Sequence, residues 1–412
     1  MNNLLQNTEL AMEDNLPLYT LREKGRKSFS LPAAKDENWK YTKLRALERD
    51  NFVIERHRCN HEHCHDEDEL PFEASVIKMC NGSLCHLPHN LPKGVIICSL
   101  LDAFENYEAK KLINRQIDIE NNPFCALNTA YLENGGYIEI GENVEVEKPI
   151  AIVHKTETGG KNLLMNLHNL VVLKQGAKAK LVEYYIYKGA QKSEYLLNVV
   201  NEINLGKNSI LEHCKVQTDA FYAENIAYNA VNVKENAKYN GFCLQNGANI
   251  GRNETYAELV EEGAGFVQNG AYSTYGWALL DTTTNIRHLC EKTTSSQLVK
   301  GVVGGHARGV FQGKIHIAPN ADETSGTQLH KALLLSDTAE VDCKPELEIY
   351  ADDVKCSHGA ACGELDKEAL FYMQSRGIGE EEAKQLLIEA YLRDTYANIS
   401  DDSLRGWIAN EL

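Results

Sequence analysis

The sequence contains no run of about 18 or more apolar residues, the length that a helix needs to cross a membrane. Its first residues also lack the basic start and apolar core of a secretory signal. We therefore expect a cytoplasmic protein. Positive charge is scarce too, because 42 basic residues face 59 acidic ones and the formal net charge is -17. This balance argues against nucleic acid or an anionic membrane as the main partner.

Disulfide and nucleotide-binding patterns are missing as well. Twelve cysteines in 412 residues are far too few for a disulfide scaffold, so they are expected to be free thiols or ligands. Gly309 to Lys314 is not a Walker motif, since three residues separate its glycines and Ile315 stands where a Ser or Thr must reach Mg²⁺. No G-x-G-x-x-G follows a predicted strand either. We expect that the chain does not hydrolyse nucleotide itself.

What the sequence does contain, between about residues 135 and 363, is a repeat of short alternating strands. The runs end in small turn residues spaced 35, 30, 30 and 27 positions apart: Gly141, Gly176, Gly206, Asn236 and Gly263. Helical periodicity is nearly absent from this region. Strands recurring about every 30 residues favour a solenoid of parallel strands, each coil burying its inner face against its neighbours. From periodicity alone, an antiparallel sandwich stays open.

The regions on either side of this repeat have other predicted secondary structure. The first part is mixed, with predicted helices at Leu4 to Glu13 and Tyr19 to Ser28. Ala74 to Cys80 and Ser83 to Leu87 predict a hairpin, because the Asn-Gly pair between them supplies the positive φ angles of a two-residue turn. The C-terminal region predicts three helices: one capped by Asp366 and ending at Gly377, one starting at Glu380 with an apolar face of Leu386, Leu387, Ala390 and Tyr391, and one from Asp401 to Ala409.

The most unusual composition lies between Pro345 and Gly363. Glu346 to Tyr350 alternate as a half-buried strand does, and five polar or reactive residues follow: Asp352, Asp353, Lys355, Cys356 and His358. A thiol and an imidazole delivered to one sheet end predict a site for metal or sulfur chemistry. The competing interpretation is structural, with His358 paired to Asp352 or Asp353.

Four blocks of the chain resemble one known family. They are DENWKYT from Asp36, KGVVGGHARGVFQGKI from Lys300, PELEIYADDVKCSHG from Pro345, and FYMQSRGIGEEE from Phe371 in the tail. Together they resemble the SufB/SufD family of iron-sulfur cluster assembly proteins. The resemblance implies a mainly β protein with a right-handed parallel β-helix core at 133–362, a mixed N-terminal domain at 1–132 and a C-terminal helical domain at 363–412.

The resemblance also implies a function and partners. Such a chain is a non-catalytic scaffold that pairs with SufB through the β-helix, while the SufC ATPase docks on the C-terminal helices. Carried onto this sequence, the SufC-binding residues are Phe371, Tyr372, Arg376, Gly377 and Glu381. A transient cluster shared with SufB would form at His358, with Cys356 as a second ligand. No cluster would be tightly bound to the isolated chain. A homodimer of the isolated chain stays an alternative to the heteromer.

Two alternatives compete with this interpretation. SufB-like chains place a cysteine after the Phe-Tyr pair of the tail, whereas this chain has Met373 and Gln374, which favours the SufD branch of the family over SufB. A solenoid enzyme acting on polysaccharide would use Asp352 and Asp353 as acid and base. Adjacent strand residues point to opposite faces, so these two carboxylates are not expected to converge on one glycosidic bond.

A rival metal site is present in the N-terminal region. The run from Arg56 to His65 contains six candidate ligands, namely His57, Cys59, His61, His63, Cys64 and His65. His61 and Cys64 are the pair that we assign to a secondary site. Structural zinc sites usually draw ligand pairs from separated segments, and the acidic run that follows suggests an exposed loop. The family pattern does not include these histidines, so we rank this site below the His358 run.

Overall fold

The structure, a computed structural model, describes residues 16–33, 36–44, 52–54, 70–107, 109–132, 134–189 and 194–412. It is mainly β, with a parallel β-solenoid of about eight turns. Helices precede and follow the solenoid: α1 (Leu16–Ser28), a 3-10 turn (Glu37–Trp39), α2 (Leu100–Asn106), α3 (Ala109–Leu112), α4 (Pro123–Ala130), α5 (Lys367–Ser375), α6 (Glu380–Tyr396) and α7 (Asp402–Asn410). Within these described ranges, none of the helices is long and apolar enough to span a bilayer.

In the described part of the chain, nineteen strands form two long sheets. Sheet A contains, in spatial order, β3 (Val95–Ser99), β4 (Gly136–Ile140), β6 (Leu163–Leu173), β8 (Tyr195–Leu205), β10 (Ala223–Val233), β12 (Ile250–Leu259), β14 (Leu279–His288), β16 (Arg308–Ile317) and β18 (Glu340–Ile349). Sheet B contains β2 (Ser83–His86), β1 (Ser75–Cys80), β5 (Ile150–Thr156), β7 (Lys178–Tyr187), β9 (Ile210–Thr218), β11 (Lys238–Gln245), β13 (Gly265–Thr274), β15 (Thr294–Val303), β17 (Thr324–Leu334) and β19 (Val354–Gly363).

Each coil gives one strand to each sheet, and the pairing is parallel from β4 and β5 onward. Aligned residues in neighbouring coils are 26 to 33 positions apart. The predicted solenoid and its repeat of about 30 residues are therefore confirmed, and the sandwich is excluded. Gly176, Asn236 and Gly263 occupy left-handed turn conformations with φ of 68°, 53° and 72°, which glycine and asparagine adopt at little cost.

The predicted hairpin is also confirmed. β1 and β2 pair antiparallel around Asn81 and Gly82, whose φ angles are 48° and 76°. β1 then pairs in parallel with β5, so the hairpin adds two strands to the N-terminal edge of sheet B. Helix α1 contains the predicted Tyr19 to Ser28 helix. The helix predicted at Leu4 to Glu13 lies outside the described residues.

Separate parts of the chain cover the outer faces of the two sheets. On sheet A, the N-terminal region packs Trp39 and Phe124 against strands β6 to β10, for example against Leu196. On sheet B, the C-terminal helices pack Ile388 and Trp407 against β7 to β13. The solenoid is thus flanked on one side by residues from its N-terminal region and on the other by the tail.

The three predicted C-terminal helices are present and begin as the sequence indicates, α6 at Glu380 and the other two after aspartate caps. Asp366 accepts hydrogen bonds from the N–H groups of Glu368 and Ala369, and Asp401 caps α7 in the same way. Gly377 follows α5 with a φ of 90°, the left-handed conformation that ends many helices.

The apolar face predicted for α6 is wrong in part. Leu386 is 42% exposed, and Ala390 is exposed as well. The face that packs on sheet B contains instead Ile388 and Leu392, which are buried. Leu386 and Ala390 lie roughly 160° around the helix from those two residues, because each residue advances the helix by about 100°. Of the predicted face, only Leu387 and Tyr391 turn partly inward.

The C-terminal end of the solenoid is open. β18 and β19 are the last strands of sheets A and B, so each pairs on one side only. Ile349 and Tyr350 at the end of β18 are 40% and 61% exposed. A further coil would bury such residues, and none follows in the described chain. The edges of both sheets therefore present unpaired backbone groups.

Candidate functional site

The predicted site residues lie on β19, at the open end of the solenoid. In the parallel register, Cys356 lies beside Gly326 and His358 lies beside Gln328 on β17. Both neighbours are buried on the inner face, and side chains two residues apart on a strand share a face. Cys356 and His358 are therefore presented together at the mouth of the solenoid interior, as the sequence spacing predicted.

His358 is exposed, and within the described chain no hydrogen bond or ion pair joins it to Asp352 or Asp353. These two aspartates lie in the turn before β19. Their backbone N–H groups both donate to Oδ1 of Asp322 at 3.2 Å. The structure thus gives the aspartates a turn-forming role and leaves the imidazole open to an outside ligand or partner.

Three thiols lie around the same opening. Cys356 packs against Ile315 and Ile317 inside the last coils, and burial raises its pKa. Burial also raises the pKa of Cys362, which is exposed on the same strand. Across the opening on β18, burial and the nearby Cys362 raise the pKa of Cys343 to about 11. These groups are protonated thiols at neutral pH, so binding of a soft metal would have to displace a proton.

The described residues do not form a complete metal site. Among them, no group of three or more His, Cys, Asp and Glu side chains is placed to hold a metal ion. His358 and Cys356 can therefore supply at most part of a ligand set. The rival run, with His57, Cys59, His61, His63, Cys64 and His65, lies outside the described residues, so its role stays a prediction.

The DENWKYT motif takes part in a second cluster of polar and aromatic side chains, which sequence reasoning missed. The segment 36–44 crosses the outer face of sheet A, and we call it the strap. Trp39 lies 4.2 Å from the guanidinium of Arg252, measured to the ring centre. Arg252 is fully buried and bonds Asp281 at 2.5 Å and Glu254 at 2.9 Å. Burial lowers the pKa of Arg252, but the two carboxylates more than offset this and raise it. Thr42 also donates to Asp281.

The strap reaches the edge of the open end. Glu37 forms an ion pair with Lys344 on β18 at 2.8 Å, and Gln312 on β16 donates to the carbonyl of Asn38 at 3.5 Å. Two motifs that are some 300 residues apart in sequence are therefore adjacent in space. In the sequence, this contact was signalled only by a cluster of polar and aromatic residues in the N-terminal region, for which the sequence showed no partner.

The solenoid interior contains buried polar groups that sequence reasoning also missed. Glu183 is fully buried and accepts hydrogen bonds from Tyr185 at 2.5 Å and from Asn201 at 2.9 Å. His213 lies 2.8 Å from it and His154 lies 3.8 Å from it. Burial raises the pKa of Glu183, but the two histidines lower it more. The pKa of this carboxyl therefore lies well below its usual range.

The residues predicted to bind a partner lie on and after α5. No side chain of this helix is buried, and Phe371 and Tyr372 are 72% and 58% exposed. Arg376 stacks on Tyr372, with its guanidinium 5.2 Å from the ring centre, and donates to the hydroxyl at 3.0 Å. Gly377 and Glu381 are exposed beside them. Exposed aromatic rings held by an arginine are typical of a protein interface.

Comparison with known proteins shows which family the chain matches. The family description "SUF system FeS cluster assembly, SufBD core domain" matches residues 156–391, and "SufBD protein N-terminal region" matches residues 6–152. The iron-sulfur cluster assembly protein SufD of Escherichia coli is 28% identical, over 91% of this chain and 87% of its own length. An iron-sulfur cluster assembly SufBD family protein of Synechocystis is 29% identical, over 92% of this chain and 86% of its own.

SufD of Bacillus subtilis is 26% identical over 73% of this chain and 69% of its own length. The matches span both the strap and the last coils, where the motifs of this sequence converge. The chain therefore belongs to the SufBD family of iron-sulfur cluster assembly proteins, and its similarity is to SufD.

Proposed function

We propose that this chain is the SufD-like scaffold subunit of a cytoplasmic SufB–SufC–SufD complex. In this proposal it catalyses no reaction of its own, and SufC supplies ATP hydrolysis. The regions 1–132, 133–362 and 363–412 act as an N-terminal domain, a β-helix core and a docking tail. The observation that carries the proposal is the open end of the solenoid, where the motif-bearing strand β19 is an unpaired edge.

The open end supports pairing with SufB. Edge strands of ten residues offer a row of unpaired N–H and C=O groups, which soluble proteins normally cover. The exposed Ile349 and Tyr350 beside them would be buried by the same contact. A second solenoid placed end to end satisfies both needs, because its own sheets can continue sheets A and B.

The nascent cluster is cargo in this proposal, held where the two solenoids meet. His358 and Cys356 would contribute from this chain, and SufB would contribute the remaining ligands. The incomplete ligand set of the described residues fits such sharing. A neutral imidazole is a suitable ligand for iron and brings no charge to the interface.

The tail supports docking of SufC. Phe371, Tyr372 and Arg376 are exposed on or beside α5, while α6 and α7 anchor the tail to sheet B. A deletion of the whole tail would expose that apolar face of the sheet. Single substitutions on α5 are therefore the cleaner test of docking than truncation.

The central test is His358→Ala, co-produced with SufB and SufC. Because the side chain is exposed, we expect a change in the free energy of unfolding within about 0.5 kcal/mol. Both partners should still bind, and most of the iron and acid-labile sulfide of the complex should be lost. Cys356→Ala should be milder. Ser357→Ala, on the opposite face of the same strand, is the matched control, and a normal cluster content in the His358 variant would refute the assignment.

A further inference from the structure

One corner of the solenoid exposes several large aromatic side chains to solvent. The corner lies where the chain passes from sheet B to sheet A, and three rings there are largely exposed: Phe221 at 58%, Tyr275 at 50% and Trp277 at 75%. Trp277 is not held by apolar packing. It stacks on the imidazole of His306, with ring centres 4.2 Å apart and planes inclined by 16°.

Glycines in the next coils allow these rings to lie flat. A methyl group placed on Gly304 would come within 2.6 Å of the Tyr275 ring, and one on Gly276 would come within 3.3 Å of Phe221. Both glycines are in corner turns, and Gly276 has a φ of 69°. Phe221 and Tyr275 thus rest on glycine backbone and Trp277 rests on His306, and all three rings are largely exposed. We define these three residues, Phe221, Tyr275 and Trp277, as the aromatic platform.

The platform borders a groove beside the C-terminal helices. The groove has a volume of about 750 Å³ and lies between the corner and the helices α5 and α6. Tyr275 and Leu335 line it on the solenoid side, and Leu370 and Ile388 line it on the helix side. Phe371 follows Leu370 directly and is exposed. A protein that contacts Phe371 is therefore adjacent to the groove and, across it, to the platform.

Charged side chains also line the groove. They are the carboxylates of Asp337, Glu364 and Glu381 and two lysines. Lys367 pairs with Glu364 at 2.8 Å, and Lys384 pairs with Glu381 at 2.9 Å. Of these lining groups, Asp337 alone has no ion-pair partner among the described residues. In a chain with a net charge of -17, the groove therefore fits a partner surface that combines apolar side chains with a lysine or arginine. Arginine also stacks well on exposed tryptophan.

We propose that the platform and groove are a second contact surface for the ATPase subunit that docks on the tail, engaged by an apolar segment flanked by basic residues. This inference rests on the proposed docking of SufC at α5 and extends it from the helices to the solenoid core. Two observations select this partner. Glu381, one of the residues assigned to SufC binding, lines the groove together with Tyr275 of the platform, and Asp337 offers a carboxylate to a basic side chain. Through such a contact, movement of the ATPase would act on the solenoid directly.

The test measures the affinity of purified full-length variants for purified SufC by calorimetric titration. We expect Trp277→Ala to raise Kd at least tenfold, as exposed aromatic anchors do in interfaces, and Asp337→Lys to raise it as well. Tyr19→Ala removes another exposed aromatic ring, 42% exposed on α1, and should change Kd less than twofold. Melting curves confirm that each variant is folded.

Phe371→Ala separates this inference from the proposed function. A loss of affinity in Phe371→Ala with none in Trp277→Ala or Asp337→Lys would overturn the second contact and leave tail docking intact. A loss in Trp277→Ala alone would keep the platform as a SufC surface and refute docking at α5. If Trp277→Ala changes only the mass of the isolated chain in solution, the platform binds a second copy of this chain, and the inference is wrong.

Discussion

The strap offers the sharpest test of how this fold is held together. Arg252 is fully buried on sheet A and bonds Asp281, whose side chain is also fully buried. Replacing Arg252 with alanine leaves that carboxylate without a cation in a site closed by Trp39. Loss of one partner from a buried ion pair costs about 3 to 5 kcal/mol, because the remaining charge stays desolvated.

The expected value lies near the lower end of that range. Asp281 keeps two hydrogen bonds after the substitution, from Thr42 and from Thr283 at 2.8 Å, and these offset part of the desolvation cost. We therefore expect Arg252→Ala to lower the free energy of unfolding by about 3 kcal/mol. Trp39 would lose its stacking partner, so its fluorescence should shift toward that of a solvent-exposed indole.

Arg287 provides a matched control on the neighbouring strand β14. It pairs with Glu258 at 2.9 Å, but its side chain is 35% exposed. Arg287→Ala should therefore cost less than about 1 kcal/mol. Urea unfolding followed by fluorescence and by circular dichroism compares the two variants. If the two variants lose the same free energy of unfolding, burial of the Arg252 pair does not stabilise the strap, and the prediction is wrong.

Two further predictions concern the interior and the tail. Burial lowers the pKa of both His288 and His330 to about 4, so the unfolded chain binds more protons between about pH 6.5 and 4. The free energy of unfolding should be highest above pH 6.5 and fall by up to about 3 kcal/mol per histidine as the pH drops to 4. His288→Gln should reduce the slope of unfolding free energy against pH, measured by urea unfolding, and an unchanged slope would contradict this. Trp407, 5% exposed and packed edge-on against Tyr184, should cost about 3 to 5 kcal/mol when replaced by alanine, with hydrogen exchange accelerated first in α7; uniform acceleration across the solenoid would argue against a separately docked helix.

Much of the fold could be predicted because local rules act on single coils. A turn that needs a left-handed residue selects glycine or asparagine, so Gly176, Asn236 and Gly263 mark the coils in the sequence itself. The caps Asp366 and Asp401 mark the starts of helices in the same way. The spacing of Cys356 and His358 likewise predicted one shared strand face.

Other features depend on contacts that no local pattern records. The face of α6 that packs on sheet B was mispredicted because Leu386 and Ile388 are equally apolar, and only the docking geometry decides between them. Asp281 and Trp39, which contact Arg252, come from a neighbouring coil and from the strap, so an isolated arginine gave no signal. An interior ladder was readable in principle, since Asn169, Asn201 and Asn229 recur at one position of successive coils and bond each other at 2.9 and 2.8 Å.

The strap also sets the order in which the protein can be completed during synthesis. Thr42 bonds Asp281, which follows it by 239 residues, and Glu37 bonds Lys344 across 307. A ribosome adds about 5 to 20 residues per second, so Thr42 waits roughly 10 to 50 s for Asp281 to be made. During that interval the coils can stack one by one and Trp39 can pack on Phe124, while the polar contacts of the strap with the later coils still have to form.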